Sequence, residues 1–164
     1  MKLPKIAICW LLLLLLSFKE GQQGKLPAKF QGKVTAVKDG DTIEVLYEKS
    51  TVMIRLAHID CPEVKKHQPF GQAAKKFTSG ICFGQMVTVE NEGKFDRYKR
   101  LIAVIINNNN ENVNKALVKA GLAWHFLKYS TDNSYDELEA VARKNKIGLW
   151  ADEHPTPPWQ WRKP

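Results

Sequence analysis

Residues 42–47, TIEVLY, alternate so that Ile43, Val45 and Tyr47 fall on one face, the period of a strand with one buried side. A polar turn at 48–50 joins them to a second strand, TVMIRLAHI, at 51–59. Shorter strands are expected at 33–37, 86–90 and 101–106, the last followed by an all-Asn turn at 107–110, where left-handed geometry is tolerated. Residues 70–83 instead place Phe70, Ala73, Ala74, Phe77 and Ile81 on one helical face, with Gly84 just beyond. Asn112 caps a second helix whose apolar stripe is Val113, Ala116, Leu117 and Ala120, ending at Gly121. Ser134 and Glu137 have the spacing of a capping box for a third helix running to about residue 145, with Leu138, Val141 and Ala142 in its stripe. The tail at 154–164 is rich in Pro and Trp and is expected to pack as extended chain. Strands with interleaved and trailing helices predict an α+β domain on a small barrel, for which an OB-like barrel is one candidate.

The chain has 164 residues, enough for one domain that needs no disulfide scaffold. Hydrophobic residues make up 44% of it, which excludes a disordered chain. The formal net charge is +8; residues 1–24 hold three lysines and one glutamate, so the remainder carries 22 basic and 16 acidic side chains, a net +6. Such an excess fits a polyanionic partner, nucleic acid or anionic membrane, and equally a solvated basic surface.

Lys2 and Lys5 precede a thirteen-residue run at 6–18 that is apolar except for Ser17. A membrane span needs about 20 residues, whereas a signal-peptide apolar region is this short. No A-x-A cleavage site follows in SFKEGQQG at 17–24. The expectation is an exported protein, secreted, periplasmic or anchored by this segment, with its folded domain at 25–164. Cys61 and Cys82 lie in that domain, either as a disulfide or as two free thiols.

Three short clusters carry the chemistry. Asp39-Gly40-Asp41-Thr42 enters a strand; Arg55 lies within the next, which ends in Asp60-Cys61-Pro62-Glu63; Asp96-Arg97-Tyr98-Lys99-Arg100 precedes another. Each alone reads as an ordinary turn or solvated loop. Together they put carboxylates and arginines at strand ends, where a barrel brings distant segments together. Carboxylates offer hard oxygen ligands and a base; arginines offer paired donors to a phosphate. Those are the parts needed to hydrolyse a phosphodiester. The histidines, His58, His67, His125 and His154, have no metal-ligand spacing, and His58 is expected on the Ile54 and Leu56 face of its strand. Neither a G-x-S-x-G motif nor a P-loop is present.

DGDT at 39–42, IRLAHIDCPE at 54–63, DRYKRLIAVI at 96–105, NKALVKAGLAW at 114–124 and GLWADEHPTPPWQWR at 148–162 follow in an order that resembles the staphylococcal nuclease (thermonuclease) family. The resemblance covers about residues 30–162. It implies a five-stranded OB-fold β-barrel with three α-helices. It implies one Ca²⁺ held by the carboxylates of Asp41 and Asp60 and the main-chain carbonyl of Cys61. It implies Arg55 and Arg100 on the scissile phosphate and Glu63 as general base toward water, with Tyr98 and Tyr129 lining the nucleotide site and Arg97 on a neighbouring phosphate. The implied activity is a calcium-dependent nuclease acting on DNA and RNA and leaving 3′-phosphates. Single strands are the favoured substrate, because their bases stack without unpairing. A monomer without a small-molecule cofactor is expected. The alternatives are a non-catalytic OB-fold module that binds nucleic acid, and a basic protein held at the cell envelope by residues 6–18.

The sequence departs from the family pattern at four places. Lys99 replaces the usual glycine before Arg100, which puts the loop backbone and the aim of Arg100 in question. Cys61 replaces a common threonine, harmless where only its carbonyl is used. Leu127 replaces a tyrosine near the nucleotide site. The loop at 64–69 is short, so its phosphate contacts do not carry over.

Overall fold

The computed structural model describes residues 26–163, so the apolar run at 6–18 and the signal expected there lie outside the described residues. The strands are β1 (Lys29–Asp39), β2 (Thr42–Tyr47), β3 (Ser50–Leu56), β4 (Ile59–Asp60), β5 (Met86–Phe95), β6 (Leu101–Ile106) and β7 (Trp124–His125). The helices are α1 (Gly71–Cys82), α2 (Val113–Lys119), α3 (Asn133–Lys144) and α4 (Pro158–Trp161). Strands β1, β2, β3, β6 and β5 close into a barrel in that order, with β1 pairing antiparallel to both β2 and β5. Only β3 and β6 run parallel. This closed five-stranded barrel with helices is the α+β OB-fold that the resemblance implied.

Alternation explains the interior. In β6, Leu101, Ala103 and Ile105 are buried while their neighbours are half-buried. They meet Ile43 and Val45 of β2 and Ile54 and Leu56 of β3 in one core that also takes Val34, Val89 and the inner faces of α1 and α2. A second, smaller cluster packs Trp124, Ala142, Leu149 and Trp150. Arg143 lies over the Trp150 ring at 3.5 Å and the Trp124 ring at 4.7 Å, a cation–π contact that ties α3 to this cluster.

Several expectations are corrected. Strands β1 and β5 extend beyond 33–37 and 86–90 because main-chain pairing continues past those bounds, and in β1 burial alternates through Phe30, Gly32 and Val34; Lys29 opposes Glu90 and bonds it at 2.8 Å. The run at 51–59 is not one strand. It leaves the barrel after Leu56, which faces Ala103, turns at His58 with φ 68°, and resumes as β4 against β7. His58 therefore sits in a turn and bonds Ser130 rather than sharing the Ile54 and Leu56 face. Helix α3 is capped by Asp132, whose Oδ1 accepts from the Ser134 N–H and hydroxyl, and not by a Ser134–Glu137 box. A carboxylate one residue ahead of the helix is the better acceptor for the first-turn N–H groups. The tail is not wholly extended: α4 forms with Pro158 at its first turn, making four α-helices among the described residues where three were expected. Cys61 and Cys82 are buried free thiols. Burial pushes the Cys82 thiol up to about 12 and raises that of Cys61, where Asp41 adds to the effect.

Candidate active site

The turn between β1 and β2 carries the first carboxylates. Gly40 is required there by close approach: a Cβ would stand 2.7 Å from Ala74 Cβ and 2.8 Å from Cys61 Cβ. The Thr78 hydroxyl donates to the Gly40 carbonyl at 2.6 Å, fixing the turn to α1. Asp41 follows, buried, accepting the Cys61 N–H at 2.8 Å on Oδ2 and the Thr42 hydroxyl at 3.1 Å on Oδ1.

Arg55, near the end of β3, gathers the rest. Its Nη1 donates to the Leu56 and Ile59 carbonyls at 2.7 and 2.8 Å, so the turn out of the barrel is folded around it. Its Nη2 bonds Asp60 Oδ1 at 2.7 Å and reaches Asp41 Oδ2 at 3.2 Å. Burial works against the Arg55 charge, but Asp41 and Asp60 outweigh it and raise its pKa. Burial also dominates at Asp60, raising its carboxyl pKa, with Asp41 adding to the rise against the pull of Arg162 and Arg55.

Arg100 reaches the same rim from the loop before β6. Asp96 organises that loop: its Oδ1 accepts the Tyr98 and Arg100 N–H groups at 2.9 and 3.0 Å, and its Oδ2 takes Arg100 Nε at 2.7 Å. Burial alone would raise the Asp96 pKa, but these bonds from Arg100 leave it below the usual range. Lys99 adopts φ 60°, the left-handed geometry that a glycine there takes without strain. The substitution therefore leaves Arg100 aimed inward, where Nη1 donates to the Thr42 hydroxyl at 2.9 Å.

The structure thus brings Asp41, Arg55, Asp60, Cys61 and Arg100 together, along with Glu63, whose N–H is held by Gln68 Oε1 at 2.9 Å. Tyr98 is exposed beside them, with Arg97 4.8 Å and Arg100 5.4 Å from its ring centre. Tyr129 is exposed too, but its contacts are to Phe126 and Lys128, which do not join it to the carboxylates. Leu127 is likewise exposed.

One residue at the site carried no role in the sequence reading. Arg162 donates Nη1 to Glu63 Oε1 at 2.6 Å and Nη2 to Asp60 Oδ2 at 2.6 Å. Its signal was its place at the end of the Pro- and Trp-rich tail, a composition suited to docking rather than to solvent.

Among the described residues, no three His, Cys, Asp or Glu side chains already stand as a metal cluster. The donor chemistry nevertheless fits a hard cation: Asp41 and Asp60 converge on one guanidinium, and the third implied ligand is a carbonyl oxygen. Asp39 adds a further carboxylate to this negatively charged corner. Its pKa is pushed up to about 6 by burial and then by Asp41, with Glu63 contributing. A dication on Asp41 and Asp60 would offset that charge.

The family model of the staphylococcal nuclease homologue matches residues 53–152. An Escherichia coli protein named as an uncharacterized endonuclease is 41% identical over 137 residues, covering 84% of this chain and 88% of its own. A Haemophilus influenzae protein of the same name is 40% identical over 132 residues, 80% of this chain and 72% of its own. A Shigella flexneri micrococcal nuclease is 37% identical over 146 residues, 83% and 82% of the two chains. The chain belongs to the staphylococcal nuclease family.

Proposed function

We propose that this protein is an exported, calcium-dependent endonuclease that hydrolyses phosphodiester bonds in DNA and RNA, single strands in preference, and leaves 3′-phosphate ends. The observation that carries the reading is the convergence of Asp41 and Asp60 on Arg55, with Arg100 arriving at the same rim through Thr42. The family and the relatives named as endonucleases support the reaction class. Export rests on residues 6–18, outside the described residues; among the described residues no helix is long and apolar enough to cross a membrane.

Asp41, Asp60 and the Cys61 carbonyl would hold calcium, which supplies positive charge and Lewis acidity at a phosphoryl oxygen. Arg55 keeps the two carboxylates convergent and would add its charge at the phosphate. Arg100 spends one arm on a neutral hydroxyl, Thr42, a contact that yields to a phosphate oxygen at little cost. Its planar fork then follows the equatorial oxygens as charge grows on them in the transition state. Glu63 accepts the proton of the attacking water. Water is the nucleophile rather than a 2′-hydroxyl, so DNA and RNA both serve. Tyr98 and Tyr129 offer exposed rings on which unpaired bases stack, and Arg97 takes an adjacent phosphate.

The test is cleavage of single-stranded DNA, duplex DNA and RNA by the purified protein in millimolar Ca²⁺, in Mg²⁺ alone and in chelator. Flexible coordination by two carboxylates, a carbonyl and waters favours the larger ion. Activity is expected with calcium, with a sharp fall in magnesium. Equal rates in both metals remove the calcium assignment, and no cleavage under any condition leaves an OB-fold module that binds without cutting.

A further inference from the structure

Asp60 is the most enclosed carboxylate of the site, and two guanidinium groups occupy both of its oxygens. Arg55 takes Oδ1 and Arg162 takes Oδ2 at 2.6 Å, with Arg162 Nη1 also 3.2 Å from Oδ1. The two arginines are held very differently. Arg55 is locked by two main-chain carbonyls and its side chain is 13% exposed, against 38% for Arg162.

Arg162 is nonetheless placed by a built strap. Trp159 stacks on Phe126 at 5.2 Å and meets Trp124 edge-on at 5.7 Å. Trp161 Nε1 donates to the Lys66 carbonyl at 3.1 Å, and Lys66 Nζ returns a bond to the Arg162 carbonyl at 2.9 Å. Gln68 Nε2 donates to the Thr156 carbonyl at 2.7 Å while its Oε1 holds the Glu63 N–H. The strap therefore clasps the very loop that carries Glu63. Burial works against the Arg162 charge, yet the bonds it donates to Asp60 and Glu63 raise its pKa beyond the ordinary value.

We propose that Arg162 is a positioning residue of the active site: its guanidinium bridges Asp60 to Glu63, aims Glu63 at the attacking water, and is the cation that yields Asp60 Oδ2 when calcium arrives. This rests on the assignments of Asp60 and Glu63 made above. A dication at Asp60 competes with the guanidinium groups for its oxygens, and the more exposed, non-locked one moves at lower cost. Its Nη1 holds Glu63 at 2.6 Å and Asp60 Oδ1 only at 3.2 Å, so Glu63 remains anchored when Nη2 gives up Oδ2.

Two opposite effects follow from one substitution. Arg162→Gln removes a positive charge at ion-pair range from the metal's carboxylate. Calcium binding, read by calorimetry on the full chain without nucleic acid, is expected to tighten about tenfold, the effect of about one pK unit. The same change frees Glu63 to swing, so kcat at saturating calcium should fall about tenfold, part of the 10²–10⁴ a general base supplies, with KM little altered. Arg162→Lys keeps the charge but has no fork to span two carboxylates. It should return calcium affinity toward the parental value while kcat stays low, a separation that loss of folding does not produce. Arg162→Gln combined with Glu63→Gln should be no slower than Glu63→Gln alone, since the arginine acts through that carboxylate.

The role is overturned if Arg162→Gln cuts at the parental rate, if its loss multiplies in full with that of Glu63→Gln, or if both variants lose rate only in proportion to folded protein. A parental rate in Glu63→Gln itself removes the general-base reading beneath it, a different failure that the single variant identifies.

Discussion

Strands β4 and β7 pair Asp60 with Trp124 and Ile59 with His125, so one small ladder supports two polar clusters of opposite character. On one side Asp39, Asp41, Asp60 and Glu63 crowd together, and burial with mutual repulsion pushes the Asp39 carboxyl up to about 6. On the other, His125 Nε2 lies 2.7 Å from the Ser130 hydroxyl and its Nδ1 2.7 Å from Asp136 Oδ1, while His58 Nδ1 meets the same hydroxyl at 2.9 Å. Tyr135 stacks against both imidazoles. These are the residue types of an acyl-transfer triad, but Ser130 is buried and its oxygen is held between two rings, with no face for a substrate. The histidine cluster is internally satisfied and serves the fold. The acidic cluster is left with surplus charge and serves a cation and a phosphate.

The difference is tested most strongly by taking one group from each side. Glu63→Gln should lower the calcium-saturated rate by a factor on the order of 10²–10⁴, the worth of a general base, with a small change in melting temperature, because Glu63 is partly solvent-exposed. Single-turnover cleavage beside a thermal melt measures both. A variant that melts early but cuts normally would place Glu63 with the structural cluster instead.

His125→Ala should do the reverse. It leaves a cavity and strips the imidazole partners from Ser130 and Asp136, while the main-chain N–H that Glu139 accepts is kept. Losing a buried, fully bonded ring should cost about 3 kcal/mol in urea unfolding. Cleavage per folded molecule should stay near parental at low temperature. Loss of rate without loss of stability would mean that the histidine side is chemical after all.

The two clusters also differed in how much of them the sequence disclosed. The acidic side was legible because D-G-D-T, D-C-P-E and D-R-Y-K-R each concentrate chemistry within a few residues, and the barrel then makes them converge. Alternation in TIEVLY and the short apolar run LIAVII likewise revealed β2 and β6 with their bounds. The histidine side was invisible, because His58 and Ser130 stand 72 residues apart and meet only when the chain breaks after Leu56. That break leaves no mark in an apolar run that continues from TVMIRL to Ile59. Arg162 was missed for the same reason: it meets Glu63 from 99 residues away, and only docking of Trp159 and Trp161 delivers it. Lys99 was the opposite case, a visible local departure whose backbone the Asp96 loop absorbs.

The smallest expected effect combines burial with surplus charge, and its response to calcium separates the two. Asp39 has an ordinary carboxyl value of 3.8 when exposed and about 6 in the fold. Below the lower value the carboxyl is protonated in both states and contributes nothing. Between the two the folded chain holds the proton more tightly than the unfolded chain, so stability falls as pH rises. Above about 6 the full penalty is present. Asp39→Asn removes the charge while its amide oxygen keeps the acceptor position for the Gly40 N–H, now 2.9 Å from Oδ1. Metal-free protein should therefore gain on the order of 1 kcal/mol at pH 7.5, the two-unit shift discounted for solvent screening of a half-exposed group. The gain should shrink as pH falls through 6 and vanish near 3.8. Saturating calcium should reduce it at pH 7.5 as well, since a dication on Asp41 and Asp60 offsets the repulsive share of the penalty, the share that adds to burial. Urea unfolding across this pH range, with and without calcium, decides the matter. A destabilised variant at neutral pH, or a gain that ignores both pH and calcium, would show that the acidic side is as internally satisfied as the histidine side.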